Sequence, residues 1–436
     1  MLAAGCGDNT PPDAALAAED VRELKLFDSV PVRSLTREEY AAEAAANAST
    51  ISDDYLEYYA DTYGRLGFFD PSLDLRPVFA GSSSDWVGAS YSPNKKRITL
   101  VGNASPDVIV HEWVHALQDQ HFDLVGYDEL DSSDSFLARR AVVEGDATLA
   151  QIRYVAEYEH GVDLDGVDWG KLFDLRRQYS DDTLANAAYP VIFLDYVSFV
   201  YSYGLEYVTD NLTGASYDAP TPGPAPYDWG REDHLFENPP PAFTQDVLDL
   251  GQADAVEAIG LEAVPAALAD RFETDDWDRL GEWYSYLLFY PLDLAAGGSF
   301  DARALAAGWD GDRALFITDT NTGEPATLWA STWDDEATAT EVANLLWTLY
   351  GRTPIAGQPD TIATGDNGET VWIEQRGRAL VAARNLPLDA DAAALVDAAF
   401  AAPSVVMPRR RPCLPEAIDR LRKKPPSVSV NNIFPL

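Results

Sequence analysis

The chain has 436 residues, of which 72 are acidic and 31 basic, so its net charge at pH 7 is −41. This charge disfavours binding to nucleic acid and to anionic membranes, while 46% hydrophobic and 11% aromatic content excludes a disordered acidic chain. The length predicts two domains with a sizeable core, and the acidic, lysine-poor composition favours a folded halophilic protein whose self-repulsion is screened by molar salt.

The N-terminal residues predict a lipid anchor. Residues 2–6, LAAGC, resemble a lipobox in which Cys6 becomes lipidated after signal cleavage, although an ordinary small-residue terminus is the alternative. We therefore expect residues 1–24 to be a signal remnant and linker, with the true start lying upstream. The chain carries one other cysteine, Cys413, which excludes a disulfide scaffold and a cysteine-ligated zinc site. No apolar run is long enough to predict a membrane-spanning helix.

The next segments predict helices followed by strands. Residues 21–67 are expected to be helical, with Thr36 as an N-cap and Glu39 completing a capping box. Residues 77–102 predict two strands, PVFAG and GASYSPNKKRITLVG, with a turn centred on Asn94.

The stretch at 105–124, SPDVIVHEWVHALQDQHFDL, predicts a helix with Ser105 as its N-cap. His111 and His115 would lie one turn apart on the same face, where both imidazoles can hold one cation. Glu112 lies beside them and could polarise a metal-bound water, which is the HExxH arrangement. The alternative is a helix whose histidines are merely satisfied in a core.

A third metal ligand is predicted in the helical stretch at 135–161. Glu144 lies inside it, and Gly145 indicates that another backbone comes close there. Two histidines and a glutamate would leave one zinc position open, as a catalytic site requires. Thr148 and Asp119 are alternative residues for orienting a ligand. Glu144 on a solvated helix face is the other interpretation.

These two motifs, HEWVHALQDQHFDL and AVVEGDATL, resemble those of the gluzincins, zinc peptidases that combine HExxH with a later glutamate. More narrowly, they are similar to surface proteins of halophilic archaea and their bacterial relatives. The likeness covers about residues 25 to 400 and continues through VGASYSPNKKRITLVG, YPVIFLDYVSFVYSYG, ENPPPAFTQDVLDL, GWDGDR and STWDDEATATEV. It departs in ENPPPAFTQDVLDL, where relatives carry a serine-threonine-glutamate run ending in histidine-proline.

The resemblance implies a fold and a chemistry. His111, His115 and Glu144 would hold Zn²⁺, and Glu112 would act as general base. A strand within residues 87–102 would edge the cleft and pair with an extended peptide substrate.

Residues 162–300 are predicted to be mostly helical, with proline-rich interruptions. The donor that stabilises the transition state stays open among His160, His234, Tyr154 and Tyr158. From residue 301 the pattern changes to segregated strands and helices, which predicts an α+β module at 301–402. The tail at 403–436 carries seven basic and two acidic residues and is expected to be disordered.

The fold expected is therefore α+β, with a mainly helical gluzincin-like domain and a small edge sheet at 25–300, followed by the smaller module. The predicted function is a cell-surface zinc-dependent peptidase that acts on a peptide or protein, does not bind nucleic acid, and contacts the membrane only through a lipid anchor at Cys6. The alternative is a non-catalytic surface or cell-envelope binding protein on the same scaffold, with 301–402 as its working part.

Overall fold

The structure is a computed structural model that describes residues 12–82, 87–127, 132–164, 167–213, 229, 233, 235–236, 241–250, 255–298, 300–351, 362–364 and 369–407. Cys6, His234 and the tail after residue 407 lie outside these ranges. Within them, no helix combines the length and apolar character that a membrane span requires.

Helices build most of the N-terminal half. They are α1 (Pro12–Arg22), α2 (Arg37–Ser49), α3 (Asp53–Tyr59), α4 (Leu75–Ser82), α5 (Pro106–Phe122), α6 (Leu124–Tyr127), α7 (Ser133–Tyr154), α8 (Trp169–Ala185) and α9 (Asp195–Thr213). Single π-helical turns continue α3 and α7, and a 3-10 turn leads into α9. The predicted capping box is confirmed, because the Thr36 side chain accepts from the Glu39 N–H and the Glu39 carboxylate accepts from the Thr36 N–H.

A small sheet precedes α5. Its strands β1 (Val32–Leu35), β2 (Ala89–Ser92) and β3 (Arg97–Val101) lie in the order β1-β3-β2, with β1 parallel and β2 antiparallel to β3. The predicted hairpin around Asn94 is confirmed. Two predictions were wrong: residues 32–35 form a strand instead of a helix, and PVFAG lies in α4 instead of a strand. Helix α4 buries Leu75, Val78 and Phe79, whose helical spacing outweighs the strand preference of valine and phenylalanine.

Helices α7 and α9 approach each other through glycine. A Cβ added at Gly145 of α7 would lie 2.3 Å from the carbonyl oxygen of Gly204. A Cβ added at Gly204 of α9 would lie 2.1 Å from the carbonyl oxygen of Ala141. The close backbone predicted from Gly145 is therefore present. It belongs to α9 and not to the histidine-bearing helix.

The C-terminal half is mixed α and β. Its elements are α10 (Thr244–Leu248), β4 (Val256–Ile259), β5 (Phe272–Asp278), α11 (Gly281–Ala295), α12 (Ala302–Ala306), β6 (Trp309–Asp319), β7 (Pro325–Trp333), α13 (Glu336–Leu349), β8 (Ile362–Thr364), β9 (Thr370–Arg376), β10 (Ala379–Arg384), α14 (Ala390–Phe400) and β11 (Ser404–Met407). Six of the strands form an antiparallel sheet in the order β5-β6-β7-β10-β9-β8. The predicted α+β class is confirmed.

The boundaries of this half differ from those expected. The edge strand β5 lies in the segment predicted to be mostly helical, so the six-stranded sheet starts before residue 301. Strand β11 pairs with β4, with Val405 opposite Ala258 and Val406 opposite Glu257. The prediction of a disordered tail from residue 403 is therefore wrong for residues 404–407, where adjacent β-branched valines favour a strand.

Buried polar contacts fix the first turn of α7 to the sheet. Asp278, the last residue of β5, accepts hydrogen bonds from the Ser133 N–H at 2.8 Å and from the Ser133 hydroxyl at 2.7 Å. Asp134 accepts from the Thr244 N–H at 2.8 Å and pairs with the Arg279 guanidinium at 3.0 Å. Burial raises the pKa of Asp134 to about 7, although the charge of Arg279 opposes this. Residues of the C-terminal half therefore hold the first turn of α7, the helix that carries Glu144.

The glycine contact gives a test of the α7–α9 packing. In Gly145→Ala the added methyl group meets backbone that cannot rotate away, so we expect the free energy of unfolding to fall by about 1–3 kcal/mol. Gly170→Ala in α8 is the matched control, because its Cβ would meet nothing closer than 3.9 Å. Urea unfolding of both variants should separate them. A loss of the same size in both would contradict the packing described.

Candidate metal centre

Helix α5 presents two histidines to the interior. It starts at Pro106, after Ser105 in extended conformation, and ends at Phe122, before Asp123, whose φ of 51° is left-handed. The Ser105 side chain makes no hydrogen bond to the helix backbone, so only its position as N-cap is as predicted. His111 and His115 are 6% and 8% exposed, and their ring centroids lie 4.6 Å apart.

Glu144 of α7 completes a compact group with the two histidines. Its Oε2 lies 3.2 Å from His111 Nε2 and 3.3 Å from His115 Nε2, and the two nitrogens are 3.0 Å apart. The carboxylate is 2% exposed. Among the described residues this is the group whose ligand atoms converge, all within 4.8 Å of one another, and it could bind a metal ion. The three predicted ligands are therefore brought together.

The buried carboxylate of this group needs a compensating positive charge. Burial lowers the pKa of His115, but the Glu144 carboxylate outweighs burial and raises that pKa to about 9. Burial alone would raise the pKa of Glu144, but the charges of His115 and His111 hold it well below its usual range. A buried carboxylate is costly without a compensating positive charge. Either a proton on the histidines or a metal ion can supply it.

A hydrogen-bond chain orients His115 from behind. His115 Nδ1 lies 2.7 Å from the Gln118 side-chain oxygen, so that Nδ1–H donates and Nε2 presents its lone pair to the centre. The Gln118 side-chain N–H group donates to the Val143 carbonyl at 2.9 Å and to Asp146 at 2.7 Å. Asp146 in turn pairs with Arg22 of α1 at 2.7 Å, and both side chains are fully buried. The residues behind this histidine were not predicted.

Two tyrosines of α9 contact residues of the candidate centre. The Tyr196 hydroxyl donates to Glu144 Oε1 at 2.5 Å, which leaves Oε2 facing the histidines. The ring of Tyr201 lies 6.1 Å from that of His111. Burial raises the pKa of Tyr201, and the negative charges of Glu144 and Glu112 raise it further. Tyr201 is therefore close to both carboxylates of the centre.

Glu112 lies between the metal centre and the small sheet. It is 6% exposed, and its carboxylate accepts a hydrogen bond from the backbone of Tyr91 in β2. Burial raises the pKa of Glu112, while the charges of His115 and His111 oppose that rise. Strand β2 lies at one edge of the small sheet and contacts α5. The candidate base and an edge strand are thus neighbours.

Neither Asp119 nor Thr148, the two residues proposed to orient a ligand, hydrogen-bonds one of the three candidate ligands in the described part of the chain. Asp119 accepts from the Tyr91 hydroxyl at 2.5 Å and pairs with Lys96 at 2.7 Å, so it fixes the hairpin to α5. The buried hydroxyl of Thr148 makes no hydrogen bond in the described part of the chain. Gln118, instead of either of these residues, hydrogen-bonds the His115 ring.

Three of the four predicted transition-state donors lie away from the candidate centre. Tyr154 is ten residues beyond Glu144 on α7, about 15 Å along the helix axis. Tyr158 is 53% exposed and donates to Asp20 at 2.8 Å, and His160 is exposed at the end of the same helix. His234 lies outside the described residues.

Comparison with known proteins adds one match. Residues 270–396 match the family model described as "Domain of unknown function (DUF8575)". The matched region runs from just before β5 into α14, and includes α11 and the six-stranded sheet but none of the three ligands. No curated protein and no solved structure matches the chain.

The hydrogen bond from His115 to Gln118 can be tested by measuring metal affinity. Gln118→Met keeps the side-chain length but removes the acceptor for His115 Nδ1–H, so we expect the dissociation constant for Zn²⁺ to rise about 10-fold to 100-fold. The control is Gln120→Met on the same helix, because Gln120 contacts the backbone of Phe27 and Asp28 instead. Competition with a chromogenic chelator measures both. Equal affinity in the two variants would show that Gln118 does not support the ligand.

Proposed function

We propose that the protein is a zinc-dependent peptidase of gluzincin type. The observation that carries this proposal is the group of three buried ligand atoms with Glu112 directly beside them. Structural zinc sites are closed by four protein ligands, whereas three leave one position open for water or substrate. The arrangement therefore supports a catalytic site more than a structural one.

The donor set and its spacing favour zinc. Two imidazole nitrogens and one carboxylate oxygen are common zinc ligands, whereas calcium and magnesium prefer more oxygen atoms. Ligand atoms held at 2.0–2.1 Å around a tetrahedral ion lie about 3.3 Å from one another. The separations of 3.0–3.3 Å among His111, His115 and Glu144 fit such an ion without rearrangement.

In the proposed reaction Glu112 acts as the general base. When bound, zinc supplies a Lewis acid that polarises the scissile carbonyl and lowers the pKa of water. The Glu112 carboxylate takes the proton of the attacking water and passes it to the leaving amine. Its location next to the ligands, on the same helix, supports this role because proton transfer needs hydrogen-bond reach.

Tyr201 is our candidate for stabilising the charge that develops on the substrate oxygen. It lies beside His111 and close to both carboxylates, whereas Tyr154, Tyr158 and His160 lie elsewhere. A positioned hydroxyl donor aimed at an oxyanion is a common device in acyl transfer. Both Tyr196 and Tyr201 hydrogen-bond the Glu144 carboxylate, and we prefer Tyr201 because its ring also lies beside that of His111.

The substrate would pair with the edge of the small sheet. Strand β2 has β3 on one side and no other strand beside it among the described residues. An extended peptide can add to such an edge through backbone hydrogen bonds. The hydrogen bond from the Tyr91 backbone to Glu112 supports this, because it joins the edge strand to the proposed base.

We further propose that the enzyme acts at the cell surface, anchored through Cys6.

Replacement of Glu112 separates cleavage from binding. In Glu112→Gln the side chain keeps its size but loses its proton acceptor, so hydrolysis of an unfolded protein substrate in high salt should fall about 10²–10⁴-fold with zinc content unchanged. The control is Glu38→Gln, an exposed glutamate of α2 that lies outside the candidate centre. Its activity should equal that of the wild type.

Two outcomes would contradict the proposal. Equal hydrolysis by wild type and Glu112→Gln, insensitive to a chelator, would indicate a contaminating protease. A wild type that binds zinc but cleaves no member of a broad peptide library would favour the binding protein instead.

A further inference from the structure

A second hydrogen-bond chain reaches the metal centre from the C-terminal half. The Tyr284 hydroxyl donates to Asp195 Oδ2, and Asp195 Oδ1 accepts from the Tyr196 N–H at 2.6 Å. The Tyr196 hydroxyl then donates to Glu144 Oε1 at 2.5 Å. The chain thus runs from α11 through the first turn of α9 to the carboxylate ligand on α7.

Both ends of this hydrogen-bond chain are buried, and Asp195 and Tyr196 between them are partly buried. Tyr284 is 6% exposed and Glu144 2%, so water does not compete readily for their oxygen atoms. Hydrogen bonds to carboxylates are about twice as strong as those between neutral groups. Because Tyr196 directly follows Asp195 at the start of α9, a bond that holds Asp195 also holds the tyrosine that contacts the ligand.

The start of α11 is itself fixed by the sheet. Asp312 of β6 accepts from the Leu280 N–H and the Gly281 N–H, both at 3.0 Å. Gly281 has a φ of 74°, and a Cβ there would lie 1.9 Å from Asp134 Oδ1. Glycine is therefore required at this position. These contacts therefore fix the position of Tyr284, which lies one turn further along α11.

We propose that Tyr284 and Asp195 are positioning residues for Glu144, and that the region matched by the unknown-function family is a structural part of the metal centre. The proposal rests on metal binding by His111, His115 and Glu144, as the proposed function does, but not on hydrolysis. It assigns the C-terminal half a role other than that of a separate binding module.

The main alternative is that Tyr284 only fills space. Tyr284→Phe keeps the ring and its packing and removes the hydroxyl alone, so a packing role predicts no change at the metal. A positioning role predicts that Glu144 gains freedom. Tyr286→Phe is the matched control, since Tyr286 lies on the same helix, is equally buried, and packs against Arg303 instead.

Cobalt binding distinguishes the two roles. Titration of the full chain with Co²⁺ should give a dissociation constant raised about 10-fold in Tyr284→Phe and unchanged in Tyr286→Phe. The visible absorption of bound Co²⁺ should change in Tyr284→Phe because the oxygen ligand is held less firmly. Unchanged affinity and spectrum in Tyr284→Phe, or equal losses in the two variants, would overturn the proposal.

A double variant checks that the two residues act as one unit. Asp195→Asn should weaken Co²⁺ binding about as much as Tyr284→Phe, and the double variant should be little weaker than either alone. Losses that multiply would overturn the proposed chain. Since the readout is metal affinity, absence of peptide cleavage by the wild type would contradict the proposed function and leave this result standing.

Discussion

The buried carboxylate of Glu144 imposes the main constraint on this structure. It is 2% exposed, and removing such a charge from water is costly unless positive charge and hydrogen bonds replace the lost hydration. Oε2 faces the two imidazoles, and Oε1 accepts from Tyr196. These contacts require α5, α7 and α9 to meet at one point, and the glycine contact between Gly145 and Gly204 makes the approach of α9 possible.

The same constraint extends to both ends of the chain. Arg22 of α1 supports His115 through Asp146 and Gln118, and Tyr284 of α11 supports Glu144 through Asp195 and Tyr196. The first turn of α7 is bonded to Asp278 at the end of β5. The N-terminal helix and the six-stranded sheet are therefore both connected by buried polar contacts to the candidate metal centre.

Sequence predicted the residues that belong to a recognisable motif, including Glu144 at 33 positions from His111, and missed residues that only long-range packing brings to the centre. The convergence of His111 and His115 on one face of α5, the capping box at Thr36 and the hairpin at Asn94 each depend on a few neighbouring residues, and all are present. Gln118 could have been noticed, since it lies one turn beyond His115. Tyr196 could not, because it reaches Glu144 only through the α7–α9 packing across 52 positions. Strand β1 was missed because its partner β3 is distant in sequence.

The most direct test of the metal centre is the composition and coordination of the metal in protein purified without chelator. Elemental analysis should find close to one zinc per chain, and X-ray absorption at the zinc edge should show a first shell of two imidazoles with oxygen ligands at about 2.0–2.1 Å. Loss of the zinc in Glu144→Ala would tie the signal to this group. Protein without bound metal, or zinc that Glu144→Ala retains with the same first shell, would contradict the account.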